Sequence, residues 1–299
     1  MKYLTLNTHS WNEVDWVGSF KTVFEFMMKE SPDVICLQEV NQLRKGTMGS
    51  PEGVVDACFR AILPPLHQYP VSDVGTMDRY RPVQDEIAIR MDNYAKLLVW
   101  ALAMNEQAYY WTWALAHIGY EQFDEGVAIL SKQDFTAEQI VMSDPMWKYH
   151  DYQRRVAVKA VFEEDQRVVY SGHFSWWESD HTGFEHEWNI LNQDRQQYAN
   201  GEQLLFGDFN QIADQRGAGY DYIRQTAPDL RDSYKVSPVV IGDATIPGDI
   251  DGWHGQSTPK RIDYAWVNNK VAIERHETVF DGENYPTVSD HFGILVATK

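Results

Sequence analysis

Short apolar runs, separated by Gly, Asp or Asn, recur along most of this chain. They are rich in Val, Ile and aromatic residues, a composition typical of β-strands. The runs that predict strands are residues 2–8, 33–39, 127–131, 155–162, 166–173, 203–207, 261–267, 271–274 and 292–297. So many strands exclude a helical bundle.

Three segments between these strands have helical periodicity instead. From Phe20 to Met27, apolar side chains recur at i, i+3, i+4 and i+7, which predicts an amphipathic helix that ends before Pro32. A second helix is predicted at about 93–106 and a third at about 182–198. The chain therefore alternates between the two kinds of element.

Helices interspersed among strands that are not all parallel predict an α/β fold with two mixed β-sheets packed face to face and flanked by helices, a four-layer α/β sandwich. In such a fold, functional residues come from strand ends and loops. Residues 41–58 and 64–93 contain much Gly, Pro, Met and charge, so we predict long surface loops there. We expect a single domain over residues 1–299.

The charge balance bears on the partners of the protein. There are 26 Lys and Arg against 44 Asp and Glu, which gives a net charge of −18. This field repels polyanions unless a metal or a basic patch overrides it, so nucleic acid is the less favoured substrate. We find no apolar signal region and no membrane-length run, and we expect a cytoplasmic protein without a membrane partner. No sequence feature predicts an oligomeric state.

Acidic or amide side chains stand at the ends of several of the apolar runs. They are Asn7, Glu39, Asp208, Asn210, Asp263 and Asp290. Hard oxygen ligands of this kind suit Mg²⁺, Mn²⁺ or Ca²⁺ rather than zinc. Any one of these residues alone is more often a strand-end cap or a turn residue, so only their combination indicates a metal site.

The short sequence motifs around these residues occur in a recognisable order along the chain. They are LNTHSW at 6–11, DVICLQEV at 33–40, GVAILSK at 126–132, RRVAVKAVF at 154–162, SGHF at 171–174, GDFNQ at 207–211, RIDYAWV at 261–267 and SDHFGI at 289–294. In this the chain resembles the endonuclease/exonuclease/phosphatase superfamily, which includes deoxyribonuclease I and inositol polyphosphate phosphatases. The resemblance implies a deoxyribonuclease I-like fold and a phosphoric ester hydrolase that depends on Mg²⁺ or Mn²⁺.

The resemblance also implies roles for individual residues. Glu39 matches the principal metal ligand, with Asn7 beside it and Asp290 as a further ligand. Asp208 matches the residue that orients or deprotonates the attacking water, and Asn210 matches its neighbour that holds the phosphate.

The resemblance also implies roles for the histidines and the arginine in these motifs. His291 matches a phosphate contact and Asp263 its carboxylate partner, which favours the charged ring. His173 matches a second phosphate contact or a proton donor to the leaving group, and Arg155 a substrate-binding arginine. Many relatives have an acidic or amide residue where this chain has His9, so we expect His9 to form hydrogen bonds rather than to bind metal.

The loops must decide which phosphate ester is cleaved, because one fold serves many substrates. Nuclease relatives hold DNA with basic loops, whereas residues 121–125 and 241–251 are acidic or neutral here. Trp176 and Trp177 follow a candidate catalytic histidine directly, and aromatic rings among polar groups suit a sugar. Whether His117 lines the same cleft or is a satisfied polar residue stays open.

These loop features resemble the bacterial sugar-phosphate phosphatases of the superfamily. The expected function is a Mg²⁺-dependent phosphomonoesterase for a small sugar phosphate, with maltose 6′-phosphate as the specific candidate. The alternative is a metal-dependent endonuclease or exonuclease that acts on DNA.

Overall fold

Two packed β-sheets form the centre of the computed structural model, which describes residues 1–44, 50–62, 79–83, 87–178, 183–255 and 257–299. The strands are β1 (Lys2–Asn7), β2 (Val34–Leu43), β3 (Arg79–Tyr80), β4 (Tyr110–Gly119), β5 (Phe123–Ser131), β6 (Thr136–Val141), β7 (Val156–Phe162), β8 (Arg167–His173), β9 (Glu202–Asp208), β10 (Leu230–Asp232), β11 (Val240–Ile241), β12 (Asp263–Asn268), β13 (Ile273–Val279) and β14 (Gly293–Thr298). The helices are α1 (Trp16–Glu30), α2 (Pro51–Ile62), α3 (Tyr94–Met104), α4 (Gly183–Gln196), α5 (Gly219–Thr226) and α6 (Ser233–Val236), with a short 3₁₀ helix at Ser10–Asn12.

Both sheets mix parallel and antiparallel strands. Over the described ranges, one sheet has eight strands in the order β11-β13-β14-β1-β2-β5-β4-β3, and the other has six in the order β10-β12-β9-β8-β7-β6. In the first, β1 is parallel to β2 and antiparallel to β14. In the second, β9 is parallel to β8 and antiparallel to β12.

Side chains that alternate along the strands build the apolar layers. In β2, Val34 and Cys36 contact the opposite sheet. Ile35 and Leu37 point the other way and pack under α1, α2 and α3. The outer face of the six-stranded sheet is covered by α4 and α5. The predicted four-layer, deoxyribonuclease I-like sandwich is therefore confirmed. In the part of the chain that the structure describes, no helix has the length and apolar character needed to cross a bilayer.

The three predicted helices are present as α1, α3 and α4. The first begins before Phe20, where Asp15 caps it by accepting a hydrogen bond from the amide of Gly18 at 3.1 Å. Ser31 ends it in a left-handed conformation. The predicted start of the third helix at residue 182 lies outside the described residues.

The prediction of a loop over 41–58 was wrong. β2 extends into this segment, and α2 begins within it at Pro51, while 45–49 lie outside the described residues. Proline suits the first turn of a helix, where its missing N–H has no intrahelical partner to lose. Val54 and Cys58 are buried one turn apart against α1 and α3. Phe59 is buried as well, but this apolar face begins only near the end of the segment, after residues 45–53, which are rich in Gly, Pro and charge.

Five described strands were not among the predicted runs: the ten-residue β4, which is largely buried, and the short or exposed strands β3, β6, β10 and β11. β3, β10 and β11 are only two or three residues long. β6 is an edge strand whose residues are exposed or half-buried, so it lacks an apolar run. β3 also falls in the predicted loop 64–93, of which residues 64–78 and 84–86 lie outside the described part.

A buried histidine in β13 is expected to make folding stability depend on pH. His276 is 1% exposed, and its Nδ1 lies 2.8 Å from the Ser233 hydroxyl. Burial lowers the pKa of His276 to about 4, although Asp232 acts to raise it. Since an unfolded histidine has a pKa of about 6.5, the unfolded chain binds a proton that the folded chain excludes below that pH.

The contribution of His276 to stability is therefore present above pH 6.5 and lost as the pH falls towards 4, by up to about 3 kcal/mol. Urea unfolding at several pH values should show a steeper acid loss for the wild type than for His276→Asn. The exposed His150→Asn is the matched control. Parallel pH curves for wild type and His276→Asn would contradict the prediction.

Candidate active site

Strand ends from both sheets surround one cleft of about 260 Å³. Eight residues predicted from the sequence line it: Glu39, Arg155, His173, Trp176, Asp208, Asn210, Asp290 and His291. Asn7 and Asp263 lie directly behind and hydrogen-bond to lining residues. Trp177 is displaced from this cleft, and its ring packs 5.6 Å from that of Tyr222.

An irregularity in β2 presents Glu39 at the cleft. The register between β2 and β5 shifts between Leu37 and Val40, and Glu39 has a φ of 50° in the left-handed region. Its Oε1 accepts a hydrogen bond from Asn7 Nδ2 at 2.8 Å. Its Oε2 is buried with no hydrogen-bond partner among the described residues. A buried carboxylate oxygen without a partner is costly, and a bound cation would satisfy it.

The charges around Glu39 also favour a cation. Burial and the nearby carboxylates of Glu125 and Asp290 raise the pKa of Glu39 to about 8. The acidic residues that line the cleft are Glu39, Glu125, Asp208, Asp251 and Asp290. A divalent cation would keep Glu39 ionised at neutral pH and offset this excess of negative charge. The oxygen donors present therefore fit a hard metal ion.

His9 stands beside this acidic group. Its Nδ1 is 2.8 Å from Glu13 Oε1 and 3.6 Å from Asp290 Oδ1, and its Nε2 is 2.6 Å from the side-chain amide of Asn12. Burial acts to lower the pKa of His9, but Glu13, Glu39 and Asp290 raise it to about 9. In this arrangement His9 pairs through Nδ1 with the carboxylates of Glu13 and Asp290.

Asp208, at the end of β9, lies between two histidines. Its Oδ2 is 3.5 Å from His173 Nε2 and 3.7 Å from His291 Nε2. Gly207 before it has a φ of 143°, and a Cβ there would lie 2.0 Å from a carbonyl oxygen of β8, so glycine is required. Burial and the charge of Asp263 raise the pKa of Asp208 to about 7, despite His291. A carboxyl group with a pKa near neutrality suits a general base.

The two histidines differ in charge. His291 Nδ1 lies 3.0 Å from Asp263 Oδ2. Burial acts to lower the pKa of His291, but Asp263 and Asp208 raise it well above its usual range, so its ring is charged. Burial and the cation Arg155, with the other imidazoles, lower the pKa of His173 well below its usual range. His173 is therefore neutral.

Two further polar side chains face the same space. Asn210 has a φ of 50°, and its Nδ2 donates to the carbonyl oxygen of Phe174 at 2.9 Å. The Arg155 guanidinium carbon lies 5.8 Å from the centre of the Trp176 ring, and its buried Nε has no partner within the described residues. The site thus combines a candidate general base, a charged imidazole, an amide and a guanidinium.

Residues 4–291 match the family model described as "Endonuclease/Exonuclease/phosphatase family". The chain belongs to this family. Members of the endonuclease/exonuclease/phosphatase family hydrolyse phosphoric esters and generally depend on divalent metals. No curated protein sequence matches the chain.

Solved structures of the endonuclease/exonuclease/phosphatase family share the fold. A family protein from Leptotrichia buccalis C-1013-b is 25% identical with a TM-score of 0.76, over 100% of this chain and 99% of that one. A mannosyl-6-phosphatase from Bacteroides thetaiotaomicron is 16% identical (TM-score 0.59), and a Neisseria 3′ phosphatase bound to a product DNA hairpin is 17% identical (TM-score 0.56). Both cover 100% of this chain and 99% of their own.

Sequence reasoning assigned no role to two acidic residues of this family member's cleft. Glu125 is buried, and its Oε1 lies 3.3 Å from Nε2 of His117, which also lines the cleft. Asp251 accepts a hydrogen bond from the Tyr120 hydroxyl at 2.9 Å, which joins two loops. Glu125 directly precedes the motif GVAILSK, so its position next to a predicted strand could have marked it as a candidate site residue. No sequence feature indicated Asp251, because its loop contains no motif of the family.

Proposed function

We propose that this chain is a Mg²⁺-dependent phosphomonoesterase acting on a small sugar phosphate, with maltose 6′-phosphate as the candidate substrate and residues 1–299 as one catalytic domain. The observation that carries the proposal is the position of Trp176. Its ring lies in the wall of the cleft that holds Asp208 and His291, beside the guanidinium of Arg155. An indole in the wall of the cleft that holds these candidate catalytic residues suits the apolar face of a sugar ring.

The size and charge of the cleft support a small substrate. Its volume is about 260 Å³, and the Tyr120–Asp251 hydrogen bond connects two of its loops. Duplex DNA requires an extended basic surface, whereas carboxylates line this cleft. The mannosyl-6-phosphatase among the similar structures has the same fold, which is compatible with this substrate class.

Glu39 and Asp290 would hold the ion, with Asn7 beside them. When bound, the ion supplies Lewis acidity and offsets charge on the phosphate and on the leaving oxygen. In the present arrangement Asn7 donates its amide N–H to Glu39, while its oxygen accepts from the His9 amide at 3.2 Å. A ligand role for Asn7 therefore requires its amide to rotate.

The other residues would act on the water and the phosphate. Asp208 accepts the proton of the attacking water, since its pKa is about 7. His291, charged because of Asp263, and the amide of Asn210 bind the phosphate oxygens. His173 faces the leaving group, and a bound phosphate dianion would raise its pKa towards a value at which it can donate a proton.

The direct test is release of inorganic phosphate from a panel of sugar phosphates, nucleotides and inositol phosphates, with Mg²⁺ and with EDTA. We expect Mg²⁺-dependent release to be fastest with a disaccharide phosphate. The alternative, a DNA nuclease, predicts Mg²⁺-dependent nicking of supercoiled plasmid instead. Robust nicking without release from any sugar phosphate would replace the proposed function by that alternative.

Trp176→Ala is expected to raise KM for maltose 6′-phosphate roughly 5- to 150-fold, the loss of one stacked aromatic contact of about 1–3 kcal/mol. KM for 4-nitrophenyl phosphate should change little, because that substrate has no sugar. Binding a remote group equally in the ground and transition states affects KM while leaving kcat nearly unchanged.

Trp100→Ala is the matched control for this experiment, because Trp100 is half-buried on α3 and does not line the catalytic cleft. A purely structural tryptophan would lower the melting temperature and depress activity on both substrates equally. Such a result for Trp176→Ala would refute the sugar platform. Trp177 packs against Tyr222 and Phe184, so Trp177→Ala is expected to lower stability.

A further inference from the structure

A second cleft of about 390 Å³ adjoins the catalytic one. The two clefts share Trp176, Asn210 and Gly252 in their walls, so they are continuous. Beyond these shared residues, the second cleft is lined by Trp177, Glu178, Gln211, Gln215 and Trp253. Three indole rings among amide and carboxylate groups form a surface of the kind that binds a sugar.

Trp253 connects this second cleft to the candidate catalytic residues. Its Nε1 donates a hydrogen bond to Asn210 Oδ1 at 2.8 Å. Because Asn210 Nδ2 also donates to Phe174, the side-chain amide is held at both ends. This fixes which way the amide faces and leaves the second N–H of Nδ2 available for a phosphate oxygen. The indole of Trp253 thus contacts the residue proposed to bind phosphate.

The loop that carries Trp253 is anchored on both sides. Trp253 packs against the buried cluster of Ile246, Ile250 and Ile262, and its amide donates to the Ile250 carbonyl at 3.0 Å. Anchoring at these apolar residues gives the indole a defined place beside Asn210.

Gly252 brings the same loop against Trp176. It has a φ of 77°, and a Cβ there would lie 2.5 Å from Trp176 Cζ2, so only glycine allows this approach. The Trp176 Nε1 is buried and has no hydrogen-bond partner in the described part of the chain. The close approach of Gly252 to this ring therefore builds part of the wall that the two clefts share.

We propose that the second cleft is the leaving-group subsite, which receives the second sugar unit of a disaccharide phosphate, and that Trp253 is a positioning residue coupling this subsite to Asn210. The proposal rests on the proposed phosphomonoesterase function. It assigns the phosphate-bearing sugar to the Trp176 wall and the remote sugar to the region around Trp253 and Gln215. Selection between monosaccharide and disaccharide phosphates would then occur in this cleft.

Two substitutions separate the N–H of Trp253 from its ring. Trp253→Phe keeps an aromatic surface but cannot donate to Asn210, so kcat should fall roughly 10-fold on glucose 6-phosphate, maltose 6′-phosphate and 4-nitrophenyl phosphate alike, the scale of one hydrogen bond. KM for the disaccharide should stay within about 2-fold. Trp253→Leu should show the same loss of kcat and, in addition, a roughly 10-fold higher KM for maltose 6′-phosphate only.

Gln215→Ala provides a second route to the subsite that does not depend on the indole. Gln215 is exposed and lines only the second cleft, so its loss should raise KM for the disaccharide without affecting the aryl phosphate. Trp100→Phe serves as the control for a conservative tryptophan substitution, and melting curves accompany each variant.

Each result either supports or overturns the proposal. Wild-type kcat in Trp253→Phe would exclude positioning of Asn210, and equal KM changes for monosaccharide and disaccharide would exclude the subsite. If the wild type released no phosphate from either sugar phosphate, the proposed function would fail by itself. The aryl phosphate would then still report whether Trp253→Phe lowers kcat through Asn210.

Discussion

Replacing Glu39 with Gln is expected to lower turnover roughly 1000-fold, equivalent to about 4 kcal/mol of transition-state stabilisation. The substitution keeps the shape of the side chain but removes the charge that would hold the cation. The side-chain oxygen at this position would still meet the amide of Asn7, so the local hydrogen bonding changes little. The affinity for Mg²⁺, measured by isothermal titration calorimetry, should fall together with the rate of phosphate release.

The stability of the metal-free protein should move in the opposite direction. Glu39 places a carboxylate oxygen without a partner among the described residues in a buried position, near other carboxylates that raise its pKa. Because this pKa of about 8 leaves Glu39 largely protonated at neutral pH without metal, the neutral glutamine should keep the melting temperature of the metal-free protein at least at the wild-type value.

A matched control removes an acidic charge elsewhere. Glu25→Gln takes an exposed carboxylate from α1, where it pairs with Lys21 at 3.7 Å, and should leave activity and metal affinity unchanged. Full activity of the wild type after thorough removal of metal with EDTA would contradict the metal-dependent mechanism. Unchanged Mg²⁺ affinity in Glu39→Gln would contradict the assignment of this residue.

The sandwich could be predicted well because its central strands are buried on both faces. β1, β2 and β9 each contain a short buried apolar run, and a polar residue follows each run closely in the chain. Asn7, Glu39 and Asp208 can therefore be found from their positions in the sequence alone. The contact of His291 with Asp263 was implied by resemblance, and Nδ1 of the ring lies 3.0 Å from the carboxylate Oδ2.

What the sequence could not predict depends on contacts between distant segments. Nothing near Trp253 in the chain indicates that its indole meets Asn210, 43 residues away. The pairing of His117 with Glu125 across the β4–β5 hairpin follows from a register shift between Leu115 and His117, which no periodicity reveals. The roles of such residues can be identified only from the folded structure, in which the two sheets bring them together.

The pairing of His291 with Asp263 leads to the second prediction of large effect. His291→Ala and Asp263→Asn are each expected to lower kcat/KM roughly 100- to 10,000-fold, the range for loss of a positioned acid–base or phosphate-binding group. Asp263 acts through His291, since its carboxylate holds the ring and keeps it charged. The double variant should consequently be no slower than the worse single variant, instead of showing the product of the two losses.

The pH dependence of Asp263→Asn distinguishes this coupling from simple misfolding. Asp263 and Asp208 raise the pKa of His291 well above its usual range, so the charged ring persists at and above neutral pH in the wild type. Without Asp263 that pKa falls, and the alkaline limb of the kcat/KM profile should move to lower pH. Asp134→Asn removes an exposed carboxylate that pairs with Arg81 outside the cleft and should leave the profile in place. Additive losses in the double variant, or an alkaline limb that stays put in Asp263→Asn, would show that the two residues act independently.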